Sequence, residues 1–310
     1  MELKKVYHLK YGEIGPINKL IHSHPILADI IPALMQTTID GNNLKDPIVA
    51  ISNANAQKFI GELECLCFSI VCETNSLAEE EIFGQKSVFM VSEEENRIYF
   101  NKYSWISPIK QLQKIRFQDF PKSYFRWDKE EIAKFEAFFA KALRTKLYSS
   151  LTECLSYDKD KETRRERSRI IISIVLFNQA HIGSLLQPFS KNHIIFIAAA
   201  FEALLNLPSE AIQKTFQNEI MTLIGKRTSL LKKWCTDFYE YRSRLVHGDV
   251  AWEDQEKKES FRLPDGKLID HSVIASKLFV RCLKAKLFLA GMLKNYRPEG
   301  FTFLDLVSAD

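Results

Sequence analysis

"FYEYRSRLVHGD", residues 238–249, is the stretch on which the reading of the fold turns. It places aromatics, two arginines, a serine and a histidine in a short run that meets Gly248, a residue type that commonly ends helices. Traced back toward Lys226, the apolar residues Leu231, Trp234, Cys235, Phe238, Tyr241 and Leu245 recur at three- and four-residue spacing. That spacing predicts a helix over 226–248 with one buried face. At about 100° per residue, Ser243 and Arg244 share a face with His247, while Arg242 lies about 140° away, beside Phe238 and Tyr241. An arginine so close to an apolar stripe needs a partner, on another element or on another chain.

Other helical patterns surround it. Apolar residues Ile132, Phe135, Phe138, Phe139 and Leu143 predict a helix after Asp128, which forms a capping box with Glu131. "KETRRERSRIIISIVLFNQAHIGSLL" predicts a second helix with a basic start, and "SKNHIIFIAAAFEALLN" a third, capped by Ser190 and closed by Asn206 and Pro208. "SEAIQKTFQNEIMTLIG" predicts a helix ahead of the signature stretch, and "HSVIASKLFVRCLKAKLFLAGMLKN" a last one, after a polar loop over "WEDQEKKESFRLPDGKLID". Residues 128–300 are therefore expected to form an all-α bundle.

The first third differs. "DPIVAIS", "ELECLCFSIVCET", "KSVFMVSEE" and "NRIYFNK" are short runs rich in β-branched and aromatic residues, and each is predicted to be a strand. Cys65 and Cys67 alternate within the second run, which places both on one face of that strand. "GPINKLIHSHPILADIIPALMQ" (15–36) predicts a helix in two pieces because Pro25 and Pro32 interrupt it. Residues 1–120 are thus a mixed α/β domain with a sheet, and the whole chain an α+β protein with its boundary at "FQDFPKSYFRWD" (117–128).

Composition narrows the function classes. The 310 residues suit two domains, and a formal net charge of +4 permits a nucleic-acid partner without requiring one. The six cysteines form no C-x-x-C pair and read as small apolar residues of a reducing compartment. "MELKKVYHLKYGE" has no apolar signal-peptide core, and the longest apolar run, "HIIFIAAAFEALL", is interrupted by Glu202. A cytoplasmic protein with no membrane partner is expected. No phosphate-binding glycine loop, dinucleotide fingerprint or nucleophile elbow occurs, so no cofactor is expected. His22 and His24 stand two apart, but no cysteine, aspartate or glutamate joins them at ligand spacing, so no metal site is expected. His181, His193 and His271 each begin or end a predicted helix and read as capping or surface residues.

The signature turn itself carries two readings. A histidine that exchanges protons near neutrality, beside guanidinium groups, suits phosphodiester cleavage, because one group moves protons while the other holds phosphate charge. The same residues also suit an ordinary helix end, since basic side chains favour its exposed carbonyls. Two further segments bear on a polyanionic ligand. Residues 158–169 hold six basic residues, among them Arg164 and Arg165, against four acidic ones. That run is either a solvated face or an RNA-backbone surface. "KRTSLLKK" (226–233), with Lys232, begins about 30 Å from His247 on a continuous helix, so it flanks the turn without forming it.

The signature stretch resembles the HEPN domain superfamily, in particular its Apea-like group. Arg242, the polar Ser243 and then His247 follow that group's pattern, and "FIAAAFEALLN" resembles its preceding hydrophobic helix, with the glutamate falling on Glu202. The resemblance covers roughly 130–295. It implies a metal-independent endoribonuclease that acts on RNA as a homodimer through the bundle, the 2′-hydroxyl attacking the adjacent phosphate. His247 would be the general acid/base, Arg242 the phosphate clamp and Ser243 a supporting group, with Arg244, Arg164, Arg165 and Lys232 on the RNA path. Glu202 would support the site, and it also has a plain structural alternative as the partner of Arg242 or Arg244. By analogy, the first domain would sense a trigger in a defence or stress system. The other class left open is a non-catalytic HEPN-like module that binds nucleotide, RNA or protein and dimerises.

Overall fold

In the computed structural model, the described residues are 5–28, 38–39, 42–43, 48–52, 55–74, 89–92, 97–100, 104–108, 137, 139–156, 158–182, 191–208, 210–224, 228–247, 260–294, 296 and 303. They define an α+β protein of two compact units. The first holds residues 1–66 and 85–141, the second 67–84 and 142–310. The division thus falls after Lys141, later than the boundary expected at 117–128, and residues 67–84 join the second unit.

The first unit is built on a mixed sheet. In chain order it contains β1 (Tyr7–His8), β2 (Gly12–Pro16), α1 (Ile17–Leu20), β3 (Thr38–Ile39), β4 (Asn42–Asn43) and β5 (Ile48–Ser52), with α2 (Ala56–Thr74) beginning in it. It ends with β6 (Phe89–Ser92), β7 (Arg97–Phe100) and β8 (Ser104–Pro108). Six strands pair in the order β1-β2-β5-β6-β7-β8. All contacts are antiparallel except β5 with β6, where Val49 faces Phe89 in parallel register. Parallel neighbours need a crossover, and α2 lies in the chain between them. Gly12 sits where any β-carbon would run into the Ile51 carbonyl and the Phe59 ring. The strands expected in "DPIVAIS", "KSVFMVSEE" and "NRIYFNK" are present as β5, β6 and β7.

One expectation fails here and another holds in part. "ELECLCFSIVCET" is not a strand but the greater part of α2, 19 residues long. A nearly continuous apolar run looks the same in either state, and length has to arbitrate. The overlooked signal is Asn55, whose Oδ1 accepts the Gln57 and Lys58 amides at 2.9 and 3.3 Å as a helix N-cap does. The same helix buries Glu62, which a strand reading leaves unexplained; its two carboxylate oxygens accept the Lys10 and Tyr11 amides at 2.7 Å each. The two-piece helix is present in part: residues 15–16 extend β2 instead, α1 forms the first piece, and helix begins again at residues 27–28 after the turns around Pro25.

Among the described residues, the second unit contains α3 (Lys146–Glu153), α4 (Lys161–Ile182), α5 (Lys191–Leu205), α6 (Ile212–Ile224), α7 (Ser229–His247) and α8 (His271–Leu289). A hairpin of β9 (Ser260–Arg262) and β10 (Leu268–Asp270) precedes α8. It takes up residues 260–270 of the expected polar loop, whose first part lies outside the described residues, and its turn uses Gly266 at φ 88° after Asp265. Helix starts carry their caps. Asp160 accepts the Thr163 amide at 2.7 Å, and Asp270 the Ser272 amide at 2.7 Å. Thr145 accepts the Tyr148 amide at 3.1 Å, which splits the single helix expected after Asp128. Asn206, at φ 53°, closes α5 as expected. The caps expected at Asp128 and Ser190, and Gly248, lie outside the described residues.

Aromatic rings fill the core of this unit. Phe177 stacks on Phe279 at 4.8 Å and Trp234 on Phe238 at 5.0 Å, while Phe201 meets Phe216 and Phe279 edge-on. Such pairs add roughly 0.5–1.5 kcal/mol each beyond the area they bury. The expectation that His181, His193 and His271 lie at caps or on the surface fails, because all three are buried. His181 Nδ1 lies 2.8 Å from the Phe177 carbonyl and so donates to it, leaving Nε2 to accept from the Ser276 hydroxyl at 3.2 Å. The His193 ring packs 4.9 Å from it. Burial lowers their pKa to about 3 for His181 and about 4 for His193; burial likewise brings His271, set against the Trp234, Phe238 and Tyr241 rings, to about 4. No disulfide joins any of the cysteines, and no described helix is long and apolar enough to cross a membrane.

Candidate functional site

The signature helix α7 starts at Thr228, whose hydroxyl accepts the Leu231 amide at 3.2 Å. Its apolar stripe is buried as the spacing demands: Leu231, Trp234, Cys235, Phe238, Tyr241 and Leu245 all lie inside. That stripe fixes the rotation of the helix and hence the direction of every polar residue on it.

Arg242 flanks the stripe and is half-buried. Its Nη2 pairs with Glu202 Oε1 of α5 at 3.0 Å, and the same carboxylate oxygen accepts the Tyr239 hydroxyl at 3.3 Å. Tyr239 precedes Arg242 by three residues, so both reach the same side of α7. Burial first, and then the Glu202 charge, push the Tyr239 phenol well above its ordinary range, with the Arg242 cation working against them. The phenol therefore stays protonated and donates. Arg242 Nε is buried without a hydrogen-bond partner among the described residues. The guanidinium thus has one side held and one donor unspent.

Ser243, Arg244 and His247 stand on the exposed side of the last turn. Arg244 reaches Glu240 at 3.8 Å with both side chains about half exposed, a contact of about 0.5 kcal/mol at most. Neither Ser243 nor His247 hydrogen-bonds to a described residue. The turn therefore presents a hydroxyl, a guanidinium and an imidazole to solvent, with a second, anchored guanidinium one residue before it.

The other expected contributors lie elsewhere. Lys232 is exposed on α7, but fifteen residues before His247, or about 22 Å along the axis. Arg164 and Arg165 are exposed at the start of α4, where Arg165 pairs with Glu162 at 2.9 Å. Within the same run, Arg167 faces Asp158 at 3.3 Å and Arg169 donates to Asn206 at 2.9 Å, so much of the basic segment is spent on internal contacts. No group of three potential metal ligands occurs among the described residues. His24, expected at a helix end or on the surface, is only 12% exposed and meets Glu13 Oε2 at 3.0 Å, while exposed His8 meets the other oxygen at 2.6 Å. Tyr239 is the participant that the sequence reading missed.

Compared with protein-family models, with curated proteins and with solved structures, the chain finds no match.

Proposed function

We propose that the chain is a metal-independent endoribonuclease of the HEPN type, acting as a homodimer through its helical unit. The observation that carries the reading is the Arg242–Glu202 ion pair at 3.0 Å, with Ser243 and His247 open to solvent on the following turn. These are the residues on which the resemblance rests. In the reaction, the RNA 2′-oxygen attacks the adjacent phosphorus and the bond to the 5′-oxygen breaks. One His247 accepts the 2′-hydroxyl proton, and a protonated His247, supplied by the second copy, gives one to the leaving 5′-oxygen. The products carry a 2′,3′-cyclic phosphate and a 5′-hydroxyl. Arg242 holds the non-bridging oxygens, and its anchoring by Glu202 fixes its position in advance. Ser243 supports the phosphate, and Arg244, Arg164, Arg165 and Lys232 attract the flanking backbone.

Purified full-length protein incubated with mixed RNA in excess EDTA should generate fragments ending in cyclic phosphate. Intact RNA, or cleavage that needs a divalent cation, rejects the assignment. One observation favours a second reading. Glu202 already neutralises Arg242, which suits a non-catalytic module that binds RNA, nucleotide or protein and dimerises. Retention of RNA without cutting would select that reading. The role of the first unit as a sensor in a cytoplasmic defence or stress system belongs to the same proposal.

A further inference from the structure

Glu202 is held from α7 by two residues one turn apart. Tyr239 Oη and Arg242 Nη2 approach the same carboxylate oxygen, Oε1, at 3.3 and 3.0 Å. Each oxygen of a carboxylate offers two lone-pair sites, and these two donors fill those of Oε1. The phenol contact is the longer and weaker of the two, so its loss changes where the carboxylate points rather than whether α5 and α7 pack. Tyr239 itself is well fixed. It is buried, and its ring packs on Phe216 of α6 at 4.4 Å. Burial, above all, keeps the phenol protonated and so a donor.

The Arg242 side of the pair is unsaturated. Its Nε is buried and has no hydrogen-bond partner among the described residues. The side-on fork, in which Nε and Nη2 donate in parallel to the two oxygens of one carboxylate, is therefore not formed. An N–H shut away from water is answered only by a group already beside it. The Glu202 carboxylate, in contact with the neighbouring Nη2, is such a group, and turning its second oxygen onto Nε would relieve the desolvated donor. The fork nevertheless stays open while Tyr239 shares Oε1. Both side chains of the pair are about a quarter exposed, and because Nε is covered, the exposure of Arg242 lies elsewhere on the side chain.

We infer that Tyr239 is a positioning residue for Arg242: by holding Oε1 it keeps Glu202 from closing the fork, and so leaves the guanidinium able to turn toward a phosphate of RNA. The inference rests on the reading that Arg242 meets RNA phosphate, and not on whether the RNA is then cut. Without the hydroxyl, Glu202 takes both N–H groups of that edge, and RNA has to draw Arg242 away from one more charge-assisted bond.

Fluorescence anisotropy of a labelled single-stranded RNA with the full chain tests it, in a His247→Ala background so that affinity is read without cleavage. Tyr239→Phe keeps the ring, removes the hydroxyl and should weaken RNA binding by about tenfold. When Glu202→Gln is also present, no carboxylate can over-hold Arg242, and Tyr239→Phe should change binding by less than about threefold. A hydroxyl that only supports folding would give the same change with and without Glu202→Gln. A crystal structure of Tyr239→Phe should show Glu202 on Nε and Nη2 together. Tyr239→Met, which also lacks the hydroxyl and adapts to an irregular space, serves if Tyr239→Phe does not fold. The inference is overturned if the folded variant binds RNA as tightly as its background, if the loss is equal with and without Glu202→Gln, if Nε stays unpartnered in the variant, or if the chain does not bind RNA. Wild-type protein that binds RNA yet leaves it whole in EDTA rejects the endoribonuclease reading alone, since the variants' affinities decide the role of Tyr239 separately.

Discussion

Four histidines of the helical unit divide into two groups. His181, His193 and His271 are sealed among aromatic rings, whereas His247 stands in solvent at the end of α7. The residue type is the same, yet the surroundings give opposite chemistry. In the core burial favours the neutral imidazole; His181 bonds the Phe177 carbonyl and Ser276, while His193 Nε2 and His271 Nδ1 meet no hydrogen-bond partner among the described residues. At the helix end the ring is open to solvent. Clusters of titratable residues therefore mark function only where water and substrate can reach them.

The comparison breaks first at His247. His247→Ala should lower RNA cleavage by about 10²–10⁴-fold while leaving the melting temperature where it was. Cleavage within a factor of about three of the parent would remove the exposed histidine from the chemistry.

The buried group predicts a pH effect of definite sign. With folded-state pKa values of about 3 and 4 against an ordinary 6.5, the unfolded chain takes up protons below pH 6.5 before the folded chain can. Above pH 6.5 both states are neutral and these groups contribute no slope. As pH falls from 6.5 toward about 4, stability should decline by up to roughly 1.4 kcal/mol per pH unit for each of the three. Urea midpoints between pH 7 and 5 would show it, and His271→Phe, which suits the aromatic surroundings, should remove about a third of the slope. A flat profile over that range would contradict the burial.

A smaller effect attends the anchor between the two groups. Glu202→Gln should cost about 1 kcal/mol of stability, because the ion pair is partly exposed and the amide can still accept from Tyr239. If Arg242 acts on phosphate, cleavage should fall disproportionately, since the clamp loses its position. Equal loss of stability and activity would make the pair purely structural. Least of all, Arg244→Ala should change stability by less than about 0.5 kcal/mol, read as a midpoint shift at the edge of detection.

Much of this was legible in the chain. The stripe from Leu231 to Leu245 told which side of α7 is buried, and so which of its polar residues meet solvent. The expectation that Arg242 needs a partner followed from the same geometry, and the choice among Arg242, Arg244 and another chain did not. The α2 helix was read as a strand because a nearly continuous apolar run gives periodicity little to work with, although Leu63 and Cys67, four apart and only half-buried, mark a helical face. The buried histidines were read as surface residues because helix ends are often exposed, and nothing local shows that a neighbouring element covers them.

The sequence alone determined the α+β composition, the helices of the second unit and the exposed face carrying Ser243, Arg244 and His247. Those depend on local spacing, which a chain carries wherever it folds. Only the tertiary structure decided that Arg242 meets Glu202, that three histidines are sealed in the core, and that Arg167 pairs with Asp158. Each of those depends on which distant segments approach, and on the water they displace when they do.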